Sequence, residues 1–385
     1  MYFSVLSYFL LRKLYILYKI INIHNLSNSI SFEISKENQL KIIWGLDSKN
    51  LIYTYIKINV QKYTKEKVTL SIKFMINVLT TFSNEELFLK KKRNTLNIYS
   101  KQGVYKIPTY YDHYFNHNKN ILILCKSSFV RRISLFSKLF LKILNKTLFF
   151  TTTNKDEELN PILNGVFFQF FTHEANFVAT DTYRLIKYTI KNFKTDQRIQ
   201  FTISRKYLNI VREILKNEKK NNIIIEYYER KNIIFYFKNH IFSCQLINEN
   251  YPDYRSVIPH DNQCHVSFII NKFLLLNTIK RISIFSKNRN SFIDFHFNHN
   301  KLKIYDQNTI GTHNSISEIQ CQVLEKNLKN MKIGFNSKFL IEILSSLNED
   351  FVYFELYHKM GVLRPLYKKK KEESILILIM SIIKV

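Results

Sequence analysis

RKYLNIVREIL, residues 205–215, carries apolar side chains at Tyr207, Leu208, Val211 and Leu215. The spacing i, i+1, i+4, i+8 places all four on one face of a helix. The same spacing occurs in IKFMINVLTTF (72–82) at Phe74, Met75, Val78 and Phe82. It occurs again in SKFLIEILSSL (337–347) at Phe339, Leu340, Ile343 and Leu347. Successive copies lie 133 and 132 residues apart, by subtraction of 74, 207 and 339. A second series agrees: FSVLSYFLLRKL, ISLFSKLFLKIL and VSFIINKFLLLNTI each read as a short strand with a central serine (Ser4, Ser134, Ser267) running into a helix. Their offsets are 130 and 133. Two independent markers with nearly one period divide the chain into three tandem domains, 1–131, 132–264 and 265–385.

Each domain reads as two helices among many strands. Stretches such as NNIIIEYYERKNIIFYFKNHIFSCQLI (221–247) alternate or run apolar, with polar breaks at hairpin spacing. The second helix of each domain follows a strand-like run: VTLSI, IQFTIS and MKIGF. The class is α+β, with antiparallel sheets carrying two helices on one face. SILILIMSIIKV at the end is apolar for about a dozen residues, too short to span a bilayer as a helix, and reads as a buried strand. The early run MYFSVLSYFLLRKLYILYKII is interrupted by Arg12 and Lys13 and followed by no small-residue cleavage site, which argues against an anchor or leader. A cytoplasmic location with no membrane partner is the expectation.

Composition narrows the function classes. An apolar share of 46% is that of a globular chain. The balance of 58 basic to 30 acidic residues, a net charge of +28, suits nucleic acid or another anionic surface. It has a second reading, because alanine occurs only at Ala175 and Ala179 while Ile, Asn, Lys, Phe and Tyr abound, as AT-rich codons would produce. Cys125, Cys244, Cys264 and Cys321 lie far apart with no CxxC pair, so neither a zinc site nor a disulfide framework is expected. The sequence carries no P-loop, no HExxH and no metal-spaced carboxylates, so no catalytic residue, cofactor or metal is assigned.

Lys73, Lys206 and Lys338 each directly precede the first aromatic of the helical repeat. At 100° per residue, each lies roughly 155° from the centre of its apolar stripe, on the solvated face. Lysine is ordinary on such a face, yet its recurrence in three copies also describes a repeated basic surface. Arg205 adjoins the second copy, and Glu213 is expected on the same outer face.

In NFVATDTYRLIKYTI (176–190) an apolar strand breaks at Thr-Asp-Thr-Tyr-Arg and resumes as alternating apolar residues. A turn held by Asp181 explains the break by itself. Its context adds Leu163-Asn164-Gly165 upstream and Tyr251-Pro252-Asp253-Tyr254-Arg255 downstream. These three motifs in this order, inside a threefold repeat, resemble the bacterial DNA sliding clamp family, the β subunit of the replicative DNA polymerase III. The likeness is clear from about residue 130 to 350 and weak over 25–70 and 350–375.

The resemblance implies a fold and a function. Three clamp domains per chain, doubled by a head-to-tail homodimer, would close a six-domain ring with sheets outside and helices lining a hole. Lys73, Arg205, Lys206 and Lys338 would then face double-stranded DNA and hold it through phosphates without base readout. The turn would form one wall of an apolar cleft for short peptides of the DNA polymerase III catalytic subunit and the clamp-loader ATPase. Its implied residues are Leu163, Thr180, Thr182, Tyr183, Arg184 and Leu185, with Pro252 and Val257 at the rim and Met380 and Ile382 closing it. The dimer seam would pair Val104 and Tyr105 with Ile284 and Phe285. Where the family commonly has Gly-His, this chain has Thr182-Tyr183; a tyrosine pair offered to DNA becomes Pro161-Ile162; and the Met-Pro ending becomes Met380-Ser381. Lys368 to Lys371 read as a solvated loop before the last strand. The alternative reading is a clamp-derived basic nucleic-acid-binding protein that no longer closes a ring.

Overall fold

The computed structural model describes the chain apart from residues 24–27, 46–49, 111–129, 153–159, 197, 219–220, 229–231, 261–262, 286–291, 299–300, 307–314, 327–330, 368–371 and 383–385. Cys125 and the four-lysine run therefore lie outside the described residues. The described chain forms six α-helices, four antiparallel sheets and two short 3-10 turns. It divides into two compact units: Met1–Asn145 with Ile203–Asn248, and Lys146–Thr202 with Glu249–Val385. Among the described residues no helix is long and apolar enough to cross a membrane.

The strand-then-helix reading holds in all three copies. Tyr2–Leu6 runs into α1 (Ser7–Ile23), Val130–Phe136 into α3 (Ser137–Thr147), and Val266–Asn271 into α5 (Lys272–Phe285). The second helices are α2 (Ile72–Leu79), α4 (Arg205–Asn217) and α6 (Ser337–Ser346), each following its expected strand. Each is N-capped by a side chain that accepts a backbone N–H: Ser71 from Phe74, Ser204 from Lys206 and Asn336 from Lys338. These caps, which satisfy otherwise orphaned donors, recur at the period of the sequence repeat.

The first unit contains two sheets. A five-stranded sheet has the order Asn59–Lys62, Tyr2–Leu6, Glu86–Lys92, Thr95–Ser100, Gly103–Pro108. An eight-stranded sheet joins Val130–Phe136, Asn222–Tyr228, Asn232–Tyr236 and His240–Gln245 to Leu51–Lys57, Gln39–Gly45, Ser29–Ile34 and Val68–Ser71. Strands from two sequence repeats thus share one sheet, joined where His240↔Thr54 to Ser243↔Leu51 pair. Trp44, Phe3, Phe32, Phe140, Phe235 and Phe242 are fully buried in this unit, and α1 packs on α2 and on α4.

The second unit repeats the arrangement. Its nine-stranded sheet joins Ile199–Ser204, Gly165–Phe170, Glu174–Thr180 and Arg184–Lys191 to Glu373–Met380, Met360–Pro365, Phe351–Leu356, Val266–Asn271 and Gln322–Lys326. The final apolar run is the central strand Glu373–Met380, paired on both sides, which explains its hydrophobic, β-branched composition. A four-stranded sheet (Ile316–Gln320, Lys301–Asp306, Phe292–Asn298, Lys332–Asn336) completes the unit, with α5 packed on α6. At Gly361 a Cβ would stand 2.5 Å from the Phe354 ring, so glycine is required there for packing.

Two expectations for the helices are corrected. In α2 the buried face is Ile72, Met75, Ile76 and Leu79, while Phe74 is 47% exposed. The helix starts at its Ser71 cap and stops at Leu79, so Phe82 never joins the stripe and the i, i+3, i+4, i+7 set from Ile72 turns inward instead. Glu213, expected on the outer face, is buried and ion-paired with Lys216 at 2.6 Å. Helix α4 buries Leu208, Ile210, Val211, Ile214 and Leu215 along with Glu213.

Candidate functional site

The Thr-Asp-Thr-Tyr-Arg break is a tight hairpin between Glu174–Thr180 and Arg184–Lys191, whose last pair before the turn is Thr180↔Leu185. Asp181 organises it as an Asx-type turn: Oδ1 accepts from the N–H of Tyr183 (3.2 Å) and of Arg184 (2.8 Å), while Oδ2 accepts from Arg184 Nε (2.9 Å). Thr180 Oγ1 donates to the Arg184 carbonyl at 2.7 Å and accepts from Thr182 N–H at 3.2 Å. The turn forces Thr182 to φ 75°, a left-handed conformation that a β-branched residue adopts at a cost.

Arg184 ties this turn to its surroundings. Its side chain is buried, yet the guanidinium forms ion pairs with Asp181 and Glu342, donates to the Phe149 carbonyl (3.3 Å) and lies 4.1 Å over the Phe339 ring. A buried cation so surrounded is compensated on every side. Tyr183 is 62% exposed with its ring 6.1 Å from that of Phe339, and its carbonyl accepts the Met380 N–H at 2.9 Å. Met380 and Val257 are exposed apolar residues, and Pro252 is exposed as well.

Beneath this rim Leu185 packs with Phe167, Val178, Tyr254 and Leu378, bordered by Tyr251, Ile258 and Met360. Tyr251 stacks on Phe167 with ring centroids 4.6 Å apart, and Tyr254 donates to Gln169 Oε1 at 2.7 Å. Burial pushes the Tyr251 phenol up, with the adjacent Thr180 backbone acting in the opposite direction. The Tyr-Pro-Asp-Tyr-Arg segment is therefore anchored by its two tyrosines, which present Pro252 and Val257 outward. Ile382 is half-buried, and its N–H bonds the Gly334 carbonyl at 2.9 Å. Leu163 is buried in the 3-10 turn Pro161–Asn164, where its carbonyl accepts from Thr152 N–H, and it is not a member of the Leu185 cluster.

The structure thus brings Thr180, Thr182, Tyr183, Arg184, Leu185 and Met380 together, with Pro252 and Val257 on a segment packed against Leu185. The sequence reading missed Phe339 and Glu342 as partners of Arg184, and Phe167, Tyr251 and Met360 around Leu185. Tyr251 and Tyr254 were visible as motif letters, and their bulk was the only sign of an anchoring role. Nothing in the repeat pattern marked Phe339, which aligns with the stripe but sits under a guanidinium.

Lys73, Lys206 and Lys338 are all exposed, and each occupies the second helical residue after its cap. Arg205 is the first residue of α4. None of α2, α4 and α6 carries an acidic residue in its first turn. A cation near a helix N-terminus is disfavoured by the helix dipole by about 0.3–1 kcal/mol at each end. That placement recurs in all three helices.

Val104 and Tyr105, 51% and 40% exposed, lie on Gly103–Pro108, the edge strand of the five-stranded sheet. Ile284, 77% exposed, lies near the end of α5. Phe285 is the last residue of that helix, and its side chain lies outside the described residues. Exposed apolar residues on a sheet edge that has no further partner strand among the described residues are the kind of surface another chain covers. Among the described residues no group of three His, Cys, Asp or Glu side chains is arranged to hold a metal ion, and Cys244, Cys264 and Cys321 are buried.

Family profiles described as DNA polymerase III beta subunit, central domain, and DNA polymerase III beta subunit, C-terminal domain, match residues 134–253 and 255–382. The chain is 29% identical over 199 residues to the beta sliding clamp of Haemophilus influenzae, spanning about half (51%) of each chain. It is 26% identical over 321 residues to that of Rickettsia bellii, covering 81% of each. The crystal structure of the DNA polymerase sliding clamp from Bacillus subtilis superposes with a TM-score of 0.84 over 100% of both chains at 20% identity.

Proposed function

Because the chain belongs to the DNA polymerase III beta subunit family, the bacterial sliding clamps, we propose that it is a processivity factor: a head-to-tail homodimeric ring that encircles double-stranded DNA and tethers the replicative polymerase to it. The observation that carries this reading is the recurrence of Lys73, Lys206 and Lys338 at one position of three capped helices. In a ring of three domains per chain, divided at 131 and 264, those helix ends line the hole and meet phosphates without reading bases. Contacts of that kind hold the duplex weakly and release it easily, so the ring slides and topology supplies retention. No catalytic group takes part.

Partners dock in the cleft of the second unit. An extended peptide from the polymerase III catalytic subunit or the clamp-loader ATPase lays apolar side chains against Tyr183, Val257 and Met380. Polar groups of the hairpin, among them the Thr182 hydroxyl, bond its backbone. Burial at roughly 25 cal/mol per Å² with few polar anchors gives an affinity weak enough for exchange between partners. The seam pairs the Val104-Tyr105 edge with the Ile284-Phe285 helix end of a second copy. The setting is the cytoplasm.

Negative-stain electron microscopy of the purified protein over a range of concentrations tests the reading. Closed rings with a central hole are expected, together with retention on circular DNA that linearisation abolishes. Arcs or compact monomers at every concentration, with salt-sensitive binding to linear DNA, would replace the ring by a clamp-derived nucleic-acid-binding protein.

A further inference from the structure

The five-stranded sheet of the first unit has two unlike faces. One is buried, with Phe3, Val5, Leu87, Leu89, Leu96 and Ile98 at most 5% exposed. Tyr105 pairs with Ile98, so it lies on that side, and it meets Phe82, just past α2, at a ring-centroid distance of 5.3 Å. The other face is turned away from α2 and carries a basic row. Register places Lys62 opposite Tyr2, Tyr2 opposite Lys90, Lys90 opposite Asn97 and Asn97 opposite Lys106, one residue from each strand. Lys62, Lys90 and Lys106 are exposed. At about 4.8 Å between strands they stand roughly 10 Å apart, in a row about 20 Å long. Two residues along the strands, roughly 7 Å away, a second row holds the half-buried rings of Phe88 and Tyr99, which pair. The only carboxylate in the five strands is Glu86, which accepts the Ser4 hydroxyl at 2.6 Å. Hydrogen bonding by Asn97, then by Lys92, and the charges of Lys92 and Lys90 pull the Tyr99 phenol down, as a positive surface would.

We propose that this face docks an acidic amphipathic helix of a partner protein, with carboxylates two turns apart on Lys62, Lys90 and Lys106 and an apolar stripe on Phe88 and Tyr99. Seven residues of helix rise roughly 10.5 Å, so positions i, i+7 and i+14 meet the three lysines in turn. A helix about 10 Å across spans the roughly 7 Å between the two rows and touches both at once. Nucleic acid fits this face less well. Lys90 Nζ lies 5.5 Å over the Tyr2 ring, so an ammonium group stands where a base would stack. In the proposed ring the duplex meets α2, on the opposite side of the sheet, and the peptide cleft lies in the other unit. Exposed charge pairs are individually weak and screened by salt, so such a partner exchanges readily.

Fluorescence anisotropy on the full chain tests this with a labelled synthetic helix bearing glutamates at i, i+7 and i+14 beside a leucine stripe. A peptide of the same composition, with the glutamates shuffled around the helix, is the control. Neither needs a closed ring, so the outcome is independent of the ring experiment. The patterned helix should bind about tenfold more tightly than the shuffled one at low salt. Lys62→Glu/Lys90→Glu/Lys106→Glu should abolish that preference and bind instead the same helix with lysines in place of its glutamates, which guards against a loss through misfolding. Lys90→Gln, a neutral change on a middle strand, should weaken the patterned helix about twofold. Equal binding of the two peptides, or a preference that survives charge reversal, overturns the proposal. So does a charge-reversal loss confined to oligo(dT), which would assign the face to nucleic acid, or to phosphatidylserine vesicles, which would assign it to a lipid surface.

Discussion

The molecule contains two sheets in which strands of neighbouring repeats join, and they are built differently. In the eight-stranded sheet of the first unit the join is four residue pairs, His240↔Thr54 to Ser243↔Leu51. In the nine-stranded sheet of the second unit it is seven pairs, Arg184↔Ile379 to Ile190↔Glu373. The strand starts are related in sequence: Asp47-Ser48-Lys49-Asn50-Leu51-Ile52 parallels Asp181-Thr182-Tyr183-Arg184-Leu185-Ile186. At the position of Arg184 the first join has Asn50, fully buried, whose Oδ1 accepts the Gln245 N–H at 2.9 Å. Asparagine bonds inward, across the sheet; arginine reaches out to Glu342 and the Phe339 ring. The second join carries an exposed tyrosine and methionine beside a fixed turn, with Val257 exposed on the segment packed against it.

Acid should break the two joins unequally, and this is the largest effect expected. His240 is 3% exposed, and its Nδ1 shares a 2.9 Å hydrogen bond with Thr54 Oγ1. Burial, with a smaller push from Lys13, lowers its pKa from 6.5 to about 3. Below pH 6.5 the unfolded chain takes up a proton that the folded chain refuses. The contribution is thus complete above pH 6.5 and is lost as pH falls toward 3, on the order of 4 kcal/mol in all. The other join has no histidine in either strand. Hydrogen-exchange protection factors, which remove the slowing of intrinsic exchange in acid, should fall first at Ile241, Phe242 and Ser243 as pH drops from 7 to 4. In H240Q the urea midpoint should become flatter over the same range. An equal fall at Leu185 to Ile190 would show that the first join is not the acid-labile one.

Truncating the two paralogous side chains sharpens the contrast. Arg184→Ala removes the partner of the largely buried Asp181 carboxylate and uncovers Phe339, so urea unfolding should show a loss of about 3 kcal/mol. Peptide affinity in the cleft should fall with it, because the turn that presents Tyr183 loses its lock. Asn50→Ala leaves one Gln245 N–H without its acceptor, a loss of about 1–2 kcal/mol, with no change in peptide affinity. If Asn50→Ala weakened the peptide as much as Arg184→Ala, the cleft would not be local to the second join.

Packing beneath the second join gives an effect of intermediate size. A methyl group at Gly361 must displace the Phe354 and Phe335 rings, which stand 2.5 and 3.0 Å from it. Gly361→Ala should cost about 1–3 kcal/mol, measured by thermal unfolding. Because Gly361 pairs with Ile379, one residue before Met380, the peptide should also bind less tightly. A neutral outcome would mean that the rings repack freely and that the strand does not transmit strain to the cleft.

The elements that were legible in the sequence are those whose cause is local. Strand, serine and helix recur because a short apolar run followed by a capped helix is written in a dozen consecutive residues, as at Val266–Asn271 and α5. Asp181 announced its turn because an aspartate there can bond nearby backbone, as it does with the N–H groups of Tyr183 and Arg184. The inward face of α2 was not legible, because Phe74 and Ile76 are equally apolar and only tertiary packing chooses between them. Glu213 misled for the same reason: a buried carboxylate is tolerated once Lys216 is one helical turn away. The ion pair of Arg184 with Glu342 spans 158 positions, and no spacing rule reaches that far.

The smallest effect tests how the turn itself is held. Thr182 sits at φ 75° and Asn38, in the first unit, at φ 54°. Asparagine tolerates the left-handed region, whereas a β-branched threonine crowds its own backbone there. Relief of that strain is about 1–3 kcal/mol, and the added freedom of glycine in the unfolded chain takes back about 0.4–1 kcal/mol. Thr182→Gly should therefore raise stability by about 1 kcal/mol, while Asn38→Gly should change it little or lower it slightly. Peptide affinity tells what the threonine is for. If Thr182→Gly gains stability but binds the peptide more weakly, the hydroxyl and the stiff backbone serve the cleft and the strain is retained for function. If both improve together, the threonine is merely tolerated because Asp181 and Arg184 hold the turn firmly enough to absorb it.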